Sequence, residues 1–197
     1  MQFAATHKAP HARTEQIILF RCSTQIFAIS SASVQEVRSV DTLAGSPVEI
    51  DESSLPKVRH MFRRGEQNLY VVNGALHFGL RPSPASLIFL LRRSRTALLI
   101  DGIEKMTSMS RLQALPLAYC HEERNWYRGL TALDQAVVPV VKPDGFLTSE
   151  DLFLLDASLA QEADTLASRE AERDSAQARE SAPQDYTDDE HDTSVTQ

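Results

Sequence analysis

Short apolar runs separated by polar turns dominate the first three quarters of the chain. Six such runs, rich in β-branched and aromatic residues, predict strands: residues 17–22, 26–29, 69–73, 87–91, 96–101 and 137–141. The first and second runs predict one hairpin, and the fourth and fifth predict another around a basic turn. Because the fourth and fifth runs are apolar at consecutive positions, they indicate strands buried on both faces. The pattern therefore predicts a mainly β, essentially all-β, fold.

Two similar phrases stand about sixty residues apart in this pattern. Arg64-Gly65 precedes the apolar run at 69–72, and Tyr127-Arg128-Gly129-Leu130 precedes the run at 136–141. Each phrase is interpreted as a turn followed by a buried strand, so the chain is predicted to contain two similar small β units. Pro139 cannot donate a hydrogen bond to a ladder, which predicts an edge or a bulge in the last strand.

Two segments between the predicted strands have a different pattern. Ser33 and Glu36 have the spacing of a capping box, which predicts a short turn of helix carrying Val34 and Val37 on one side. Residues 39–57 are rich in Asp, Gly, Ser, Pro and Glu, a composition typical of loops.

The last quarter of the chain changes to a helical period. Thr148 or Ser149 is the predicted N-cap of a helix whose apolar positions recur every three or four residues, at Leu152, Leu155, Leu159, Ala163 and Leu166. Beyond Leu166 the apolar positions give out, and the composition predicts a fraying helix followed by disorder. The predicted organisation is a flexible arm at 1–14, one domain at 15–156, and an acidic helical or disordered tail at 157–197.

Charge is unevenly distributed along the chain. Residues 1–160 hold 17 basic and 16 acidic side chains, whereas residues 161–197 hold 3 and 11. An acidic tail repels phosphate backbones and anionic lipids, so no nucleic-acid partner is expected. The longest apolar run, residues 87–91, is too short to cross a bilayer, so no direct membrane insertion is expected.

Candidate catalytic and metal-binding groups are sparse. Cys22 and Cys120 are the two cysteines, and neither has the spacing of a metal knuckle, which suits a reducing cytoplasm. Cys120-His121 is interpreted as a chance pairing, since neighbours in sequence rarely face each other. Asp101 ends a predicted strand before a glycine, so its pairing with Glu104 is interpreted as turn chemistry. No phosphate-binding glycine motif is present, and neither a cofactor nor an enzymatic activity is expected.

Arginines are frequent in the predicted turns. Because they come from several turns and lack interleaved aromatic residues, solvated turn charge is favoured over an anion-binding patch for Arg59, Arg63, Arg64, Arg81, Arg92, Arg93 and Arg95. Arg64 is an exception, because Gly65 permits a tight turn that presents the preceding guanidinium to a protein partner.

Four phrases in a fixed order resemble the CheW-like family of bacterial chemosensory adaptors. They are Phe27-Ala28-Ile29 with Val34-Gln35-Glu36-Val37, Arg64-Gly65 with His77-Phe78-Gly79-Leu80, Ile100-Asp101-Gly102-Ile103, and Arg128-Gly129-Leu130 through Val141. The resemblance covers residues 15–156. It implies two small five-stranded SH3-like β-barrels, followed by the C-terminal helix and the acidic tail.

The resemblance also implies a function. Such adaptors are non-catalytic scaffolds that bind the regulatory domain of a CheA-type histidine kinase through one barrel and the cytoplasmic tip of a chemoreceptor through the other. Carried over to this chain, the receptor side is predicted at Arg64 and Gly65, supported by Val34, Glu36 and Val37, while the kinase side is unassigned. The expected location is the cytoplasm, at receptor arrays of the inner membrane. The alternative is a diverged module of a specialised pilus or motility system that has lost one partner.

Overall fold

A computed structural model describes residues 14–43, 48–50, 55–119, 121 and 123–180. The strands are β1 (Glu15–Cys22), β2 (Gln25–Ser30), β3 (Val34–Ser39), β4 (Val48–Glu49), β5 (Val58–Arg64), β6 (Gln67–Asn73), β7 (Leu87–Leu91), β8 (Thr96–Ile100), β9 (Gly102–Met109), β10 (Tyr127–Leu133) and β11 (Ala136–Val141). The α-helices are α1 (Gly74–His77), α2 (Glu123–Trp126) and α3 (Ser149–Glu180). The prediction of a mainly β fold is confirmed.

The strands form two sheets. The terminal sheet combines the first two and last three strands in the order β10-β11-β2-β1-β9, and the central sheet has the order β3-β7-β8-β6-β5-β4. The central sheet is therefore inserted in sequence between β2 and β9. Its sixth strand, β4, has two residues and lies within the segment predicted as a loop.

The terminal sheet closes on itself through a backbone pair beyond its edge. The Gln113 amide donates to the Leu130 carbonyl at 2.7 Å, and the Leu130 amide donates back at 2.9 Å. Gln113 follows β9, and Leu130 belongs to β10 at the opposite edge, so this pair joins the two ends of the sheet. Closure satisfies backbone groups that an open edge would leave unpaired.

Each sheet has an apolar core on one face. The terminal sheet encloses Ile17, Leu19, Ala28, Met109, Val138 and Val140, and the central sheet encloses Phe62, Leu69, Val71, Ile88, Leu90 and Ala97. The other faces meet at a seam, where the Phe20 ring of β1 lies edge-on to the Phe89 ring of β7 with centroids 5.5 Å apart. Strands β1 and β7 are thus buried on both faces, which explains their uninterrupted apolar sequence.

Asp101 joins the two sheets where the chain crosses between them. It stands between β8 of the central sheet and β9 of the terminal sheet. Its carboxylate accepts hydrogen bonds from the Ser23 amide at 2.6 Å, in the β1–β2 turn, and from the Ser83 hydroxyl ahead of β7. The interpretation of Asp101 as a structural turn residue agrees with these bonds.

Three local predictions are wrong. Ser33 and Glu36 do not cap a helical turn, because residues Val34–Ser39 form β3 and pair with β7, and the short 3-10 turn before them is Ser31–Ser33. Tyr127-Arg128-Gly129-Leu130 is strand β10 rather than a turn, since it pairs with β11. Pro139 does not mark an edge, because β11 lies between β10 and β2.

The N-terminus of α3 is fixed by a reciprocal cap. The Thr148 hydroxyl accepts from the Asp151 amide and the Asp151 carboxylate accepts from the Thr148 amide, both at 3.0 Å. Asp151 also pairs with Lys57 at 3.2 Å, and Leu155 is fully buried. Thr148 is therefore the N-cap, one of the two predicted candidates.

The chain separates into two compact units, residues 1–155 and 156–197. In the second unit α3 continues to Glu180, farther than its apolar positions predict, because Ala, Glu and Arg are strong helix formers without burial. The predicted disordered tail at 181–197, and all of the predicted arm at 1–14 except Thr14, lie outside the described residues. No helix in the described part of the chain is long and apolar enough to cross a membrane.

His77 is buried in an aromatic cage at the end of α1. Its ring centroid lies 4.6 Å from that of Trp126 and 5.1 Å from those of Phe78 and Phe146. Among the residues that the structure describes, neither ring nitrogen has a hydrogen-bond partner. Burial, together with the positive charge of Lys57, lowers the pKa of His77 to about 3, although Asp151 acts in the opposite direction.

Closure of the terminal sheet predicts that Gly129→Ala is destabilising. A Cβ at this position would collide with the Gln113 carbonyl oxygen and lie 2.9 Å from Leu112 Cγ. We expect a loss of about 1–3 kcal/mol in the free energy of unfolding, measured by urea denaturation. Gly102→Ala is the control, since its Cβ would meet only Arg21 Nη2 at 3.9 Å. Equal midpoints for the two variants would contradict the role given to Gly129.

The hydrogen bonds of Asp101 between the two sheets predict that Asp101→Ala lowers the free energy of unfolding by about 2–3 kcal/mol. The reason is that the Ser23 amide and the Ser83 hydroxyl lose a charged acceptor. Glu104→Ala is the matched control. Glu104 makes an exposed ion pair with Arg21 at 3.3 Å, so its removal should change stability by less than about 1 kcal/mol. Urea denaturation of both variants measures the difference, and a larger loss for Glu104→Ala would refute the assignment.

The buried His77 predicts a loss of stability in acid. Its pKa is about 3 in the folded protein against 6.5 for the ordinary group, so between these values the unfolded chain binds the extra proton. Stability from this residue is complete above pH 6.5 and falls by about 1.4 kcal/mol for each pH unit below it. His77→Leu should remove this component from urea denaturation curves measured across that range. An unchanged pH dependence in the variant would show that His77 is not its source.

Candidate protein-interaction surface

The turn between β5 and β6 places Arg64 at one end of the central sheet. Gly65 adopts a φ of +61°, in the left-handed region, and no atom lies within 4 Å of the position that a Cβ would occupy. Glycine is therefore favoured by backbone conformation rather than by lack of space. The guanidinium that precedes this turn is exposed, as the turn chemistry predicts.

Arg64 reaches across the sheet to β3. Its Nη1 donates to Gln35 Oε1 at 2.8 Å. Because β3 is the first and β5 the fifth strand in the sheet order, this bond shows that the central sheet curls until the two strands approach. Gln35 occupies a bulge, since Val34 pairs with Leu91 and Glu36 with Leu90. A bulge redirects the side chain of the extra residue, here toward Arg64.

Glu36 lies beside this bond but is held by a different arginine. Arg38 donates from Nε to Oε1 at 2.8 Å and from Nη2 to Oε2 at 3.2 Å. The pKa of the Glu36 carboxyl is lowered, mainly by the hydrogen bond from Arg38 and also by the positive charges of Arg38 and Arg64. Arg64 therefore lies within electrostatic range of Glu36 without pairing with it.

The two valines of the predicted receptor side differ in exposure. Val37 is 41% exposed and is available for an apolar contact, whereas Val34 is buried. The structure thus brings Arg64, Gly65, Glu36 and Val37 to one end and edge of the central sheet. Val34 lies beneath them and supports the strand.

Arginines of the β7–β8 turn lie at the same end of the sheet. Arg92 Nε donates to the Val34 carbonyl at 3.1 Å, and Arg95 Nε donates to the Asn68 carbonyl at 3.3 Å. The Arg95 guanidinium also lies 5.4 Å from the centroid of the Tyr70 ring, within cation–π range. Two turns separated by about thirty residues therefore present their arginines together.

These turns enclose a hollow, which we call the arginine groove. Its volume is about 510 Å³, and its lining residues are Gln35, Arg64, Gln67, Leu69, Leu91, Arg93, Ser94 and Arg95. Sequence patterns favour solvated turn charge for these arginines and give no sign that two turns bring Arg64, Arg93 and Arg95 together. Gln35 belongs to the phrase Val34-Gln35-Glu36-Val37 that resembles the family. Its bulge and its bond to Arg64 could not be predicted from the sequence, because both depend on pairing between strands that are distant in sequence.

The described residues show little that could carry a reaction. They contain no group of three or more side chains arranged to hold a metal ion. Burial raises the pKa of the Cys22 thiol to about 12, so this thiol stays protonated at neutral pH. The Asp101 carboxylate is occupied by its turn hydrogen bonds. Cys120 of the Cys120-His121 pair lies outside the described residues.

The chain is similar to known proteins in its fold and in its sequence family. No curated protein matches the chain. Among solved structures, the scaffolding protein TtCheW from Thermoanaerobacter tengcongensis matches with a TM-score of 0.59 and 14% sequence identity, over 76% of this chain and 96% of that chain. At this identity the match shows the fold, and the predicted CheW-like architecture is confirmed. The CheW-like domain matches residues 16–151, more than half of the sequence, and the chain belongs to the CheW-like domain family.

Proposed function

We propose that this chain is a non-catalytic adaptor of a bacterial chemosensory system, which couples chemoreceptors to a CheA-type histidine kinase. Its family and its two-sheet fold support a scaffold in signal transduction. The observation that carries the finer proposal is the position of Arg64, exposed at the end of the central sheet and oriented by Gln35.

The receptor side of the proposal is the end of the central sheet. Arg64 offers a planar fork of donors that suits carboxylates and carbonyls of a partner, and arginines of this kind are frequent energetic centres of interfaces. Val37 adds an exposed apolar side chain on strand β3, the strand that Arg64 reaches through Gln35. A cytoplasmic receptor tip is the proposed occupant, which would bring the chain to receptor arrays at the inner membrane.

The kinase side is proposed on the terminal sheet. The two sheets have separate cores, so each can present its own surface to a different partner. The terminal sheet carries exposed apolar side chains on three of its strands: Ile26, Ile103, Met106 and Val137. Met106 and Val137 are each 65% exposed, and burial of such side chains would favour association with a protein partner.

The receptor proposal predicts that Arg64→Ala weakens binding of a receptor cytoplasmic fragment by roughly tenfold or more, because an oriented guanidinium is lost from the interface. Arg64→Lys should also weaken binding, since an ammonium lacks the planar fork. Isothermal titration calorimetry with the receptor fragment measures both effects, and binding of the kinase regulatory domain should not change.

Arg81→Ala is the matched control, since Arg81 is an exposed arginine outside the groove. If Arg64→Ala binds the receptor fragment as tightly as the control, Arg64 is not on the receptor side. If the unaltered chain binds the kinase domain but no receptor, the chain is a specialised module that has lost one partner. Failure to bind either protein would overturn the adaptor proposal.

A further inference from the structure

The turn between β7 and β8 holds Arg93 in an unusual backbone conformation. Its φ is +52°, in the left-handed region, which glycine and asparagine adopt more readily than arginine. The residues on either side are fixed. Arg92 Nε donates to the Val34 carbonyl at 3.1 Å, and the Ser94 hydroxyl accepts from the Thr96 amide at 3.1 Å. The backbone of Arg93 is therefore held by its neighbours in a conformation that would cost glycine less.

Three other non-glycine residues among those described have a positive φ, and local structure accounts for each of them. The Ser23 amide donates to the Asp101 carboxylate in the β1–β2 turn. Asp134 and Gln135 form the two-residue turn between β10 and β11, a kind of turn that favours positive φ. Glycine would meet the backbone requirement at Arg93 equally well, so folding alone does not explain an arginine there.

 
The Arg93 side chain is exposed and lies where two hollows adjoin. One of them is the arginine groove. The second hollow has a volume of about 560 Å³, and its lining residues are Ala32, Ser33, Gln35, Arg92, Arg93 and Asp144. Arg93 and Gln35 line both hollows, so a partner seated in either one can reach the Arg93 guanidinium.

The charge of Arg93 is not neutralised within the part of the chain that the structure describes, where this residue makes no ion pair. Arg64, which lines the arginine groove with it, is bonded to the neutral amide of Gln35. Asp144 is the one carboxylate among the lining residues of the two hollows. Arginines outnumber carboxylates in this lining, which favours a ligand that carries carboxylates.

We propose that Arg93 is a second carboxylate-binding residue of the receptor side, which pairs with an acidic side chain of the chemoreceptor tip beside the contact made by Arg64. A guanidinium binds a carboxylate through two parallel hydrogen bonds, and Arg93 has its donors unpaired before the partner arrives. The left-handed backbone is the conformation in which the turn presents this side chain between the two hollows. The identity of the partner rests on the proposed function, whereas carboxylate binding by Arg93 does not.

The first experiment separates binding from folding with Arg93→Gly. Glycine adopts a positive φ without strain, so the urea midpoint should not fall. Receptor fragment binding, measured by isothermal titration calorimetry, should weaken by roughly fivefold or more because the guanidinium is lost. Arg93→Asn, which also tolerates the left-handed region, should weaken binding equally. A lower midpoint for Arg93→Gly would contradict the backbone argument, and an unchanged receptor affinity in either variant would refute the proposal.

Gln135→Gly is the matched control for the backbone change. Gln135 has a φ of +69°, is exposed and lines neither hollow, so this variant relieves the same kind of strain at a distant turn. Its urea midpoint should not fall, and its affinity for the receptor fragment should equal that of the unaltered chain. If Gln135→Gly weakens receptor binding as much as Arg93→Gly does, the loss does not come from the guanidinium, and the proposal is wrong.

The second experiment uses a probe that does not depend on the receptor. Fluorescein-labelled decaglutamate is titrated at low salt with Arg93→Gly and with Arg81→Ala, which removes the same charge from an exposed position outside both hollows. We expect Arg93→Gly to bind the peptide roughly threefold or more weakly than Arg81→Ala, as judged by fluorescence anisotropy. Equal affinities for the two variants, or no binding by the unaltered chain, would refute carboxylate binding by Arg93.

The two experiments distinguish this inference from the proposed function. If decaglutamate binding requires Arg93 but the unaltered chain binds no receptor fragment, the adaptor function fails and carboxylate binding by Arg93 stands. If receptor binding requires Arg64 but not Arg93, the adaptor function stands and the assignment of Arg93 to the receptor side is overturned.

Discussion

The crossing at Asp101 is the constraint on which both sheets depend. A single residue separates β8 of the central sheet from β9 of the terminal sheet, so the chain has no slack with which to adjust one sheet against the other. The Asp101 amide donates to the Arg21 carbonyl at 2.9 Å, and its carboxylate holds the β1–β2 turn through Ser23. The register of β1 is thereby tied to the end of the hairpin formed by β7 and β8.

This tie sets the geometry of the seam. With β1 and β7 held at the crossing, Phe20 meets Phe89 between the sheets, and the alternate residues of each strand fill separate cores. The Gln113–Leu130 pair then closes the terminal sheet around its own core. Two packed apolar units of this kind are rigid supports, because deforming either one would open cavities or unpair backbone groups. The turns that carry Arg64 and Arg93 project from such a support.

Sequence patterns predict the buried strands well and the exposed ones poorly. Strands β1, β2, β7 and β8 were predicted within two residues because each is a continuous apolar run between polar turns. Strand β9 was missed because most of its side chains are exposed, and it is a strand through its pairing with β1. The same limit applies to the candidate site. Arg64 has a local signal in Gly65, but the bulge at Gln35 is imposed by β7, which lies more than fifty residues away.

The way the arginines are held bears on how they can bind. Arg64 is oriented by an amide oxygen and Arg92 by a backbone carbonyl, so each guanidinium has a defined position before any partner arrives. Ordering a long side chain in advance reduces the entropy lost on binding. Because both acceptors are neutral, this orientation does not neutralise the positive charge of Arg64 or Arg92. The charge of Arg38, by contrast, is neutralised by its ion pair with Glu36. An arginine held by a neutral acceptor therefore combines a defined position with an undiminished positive charge, and both properties favour a bidentate bond to a carboxylate.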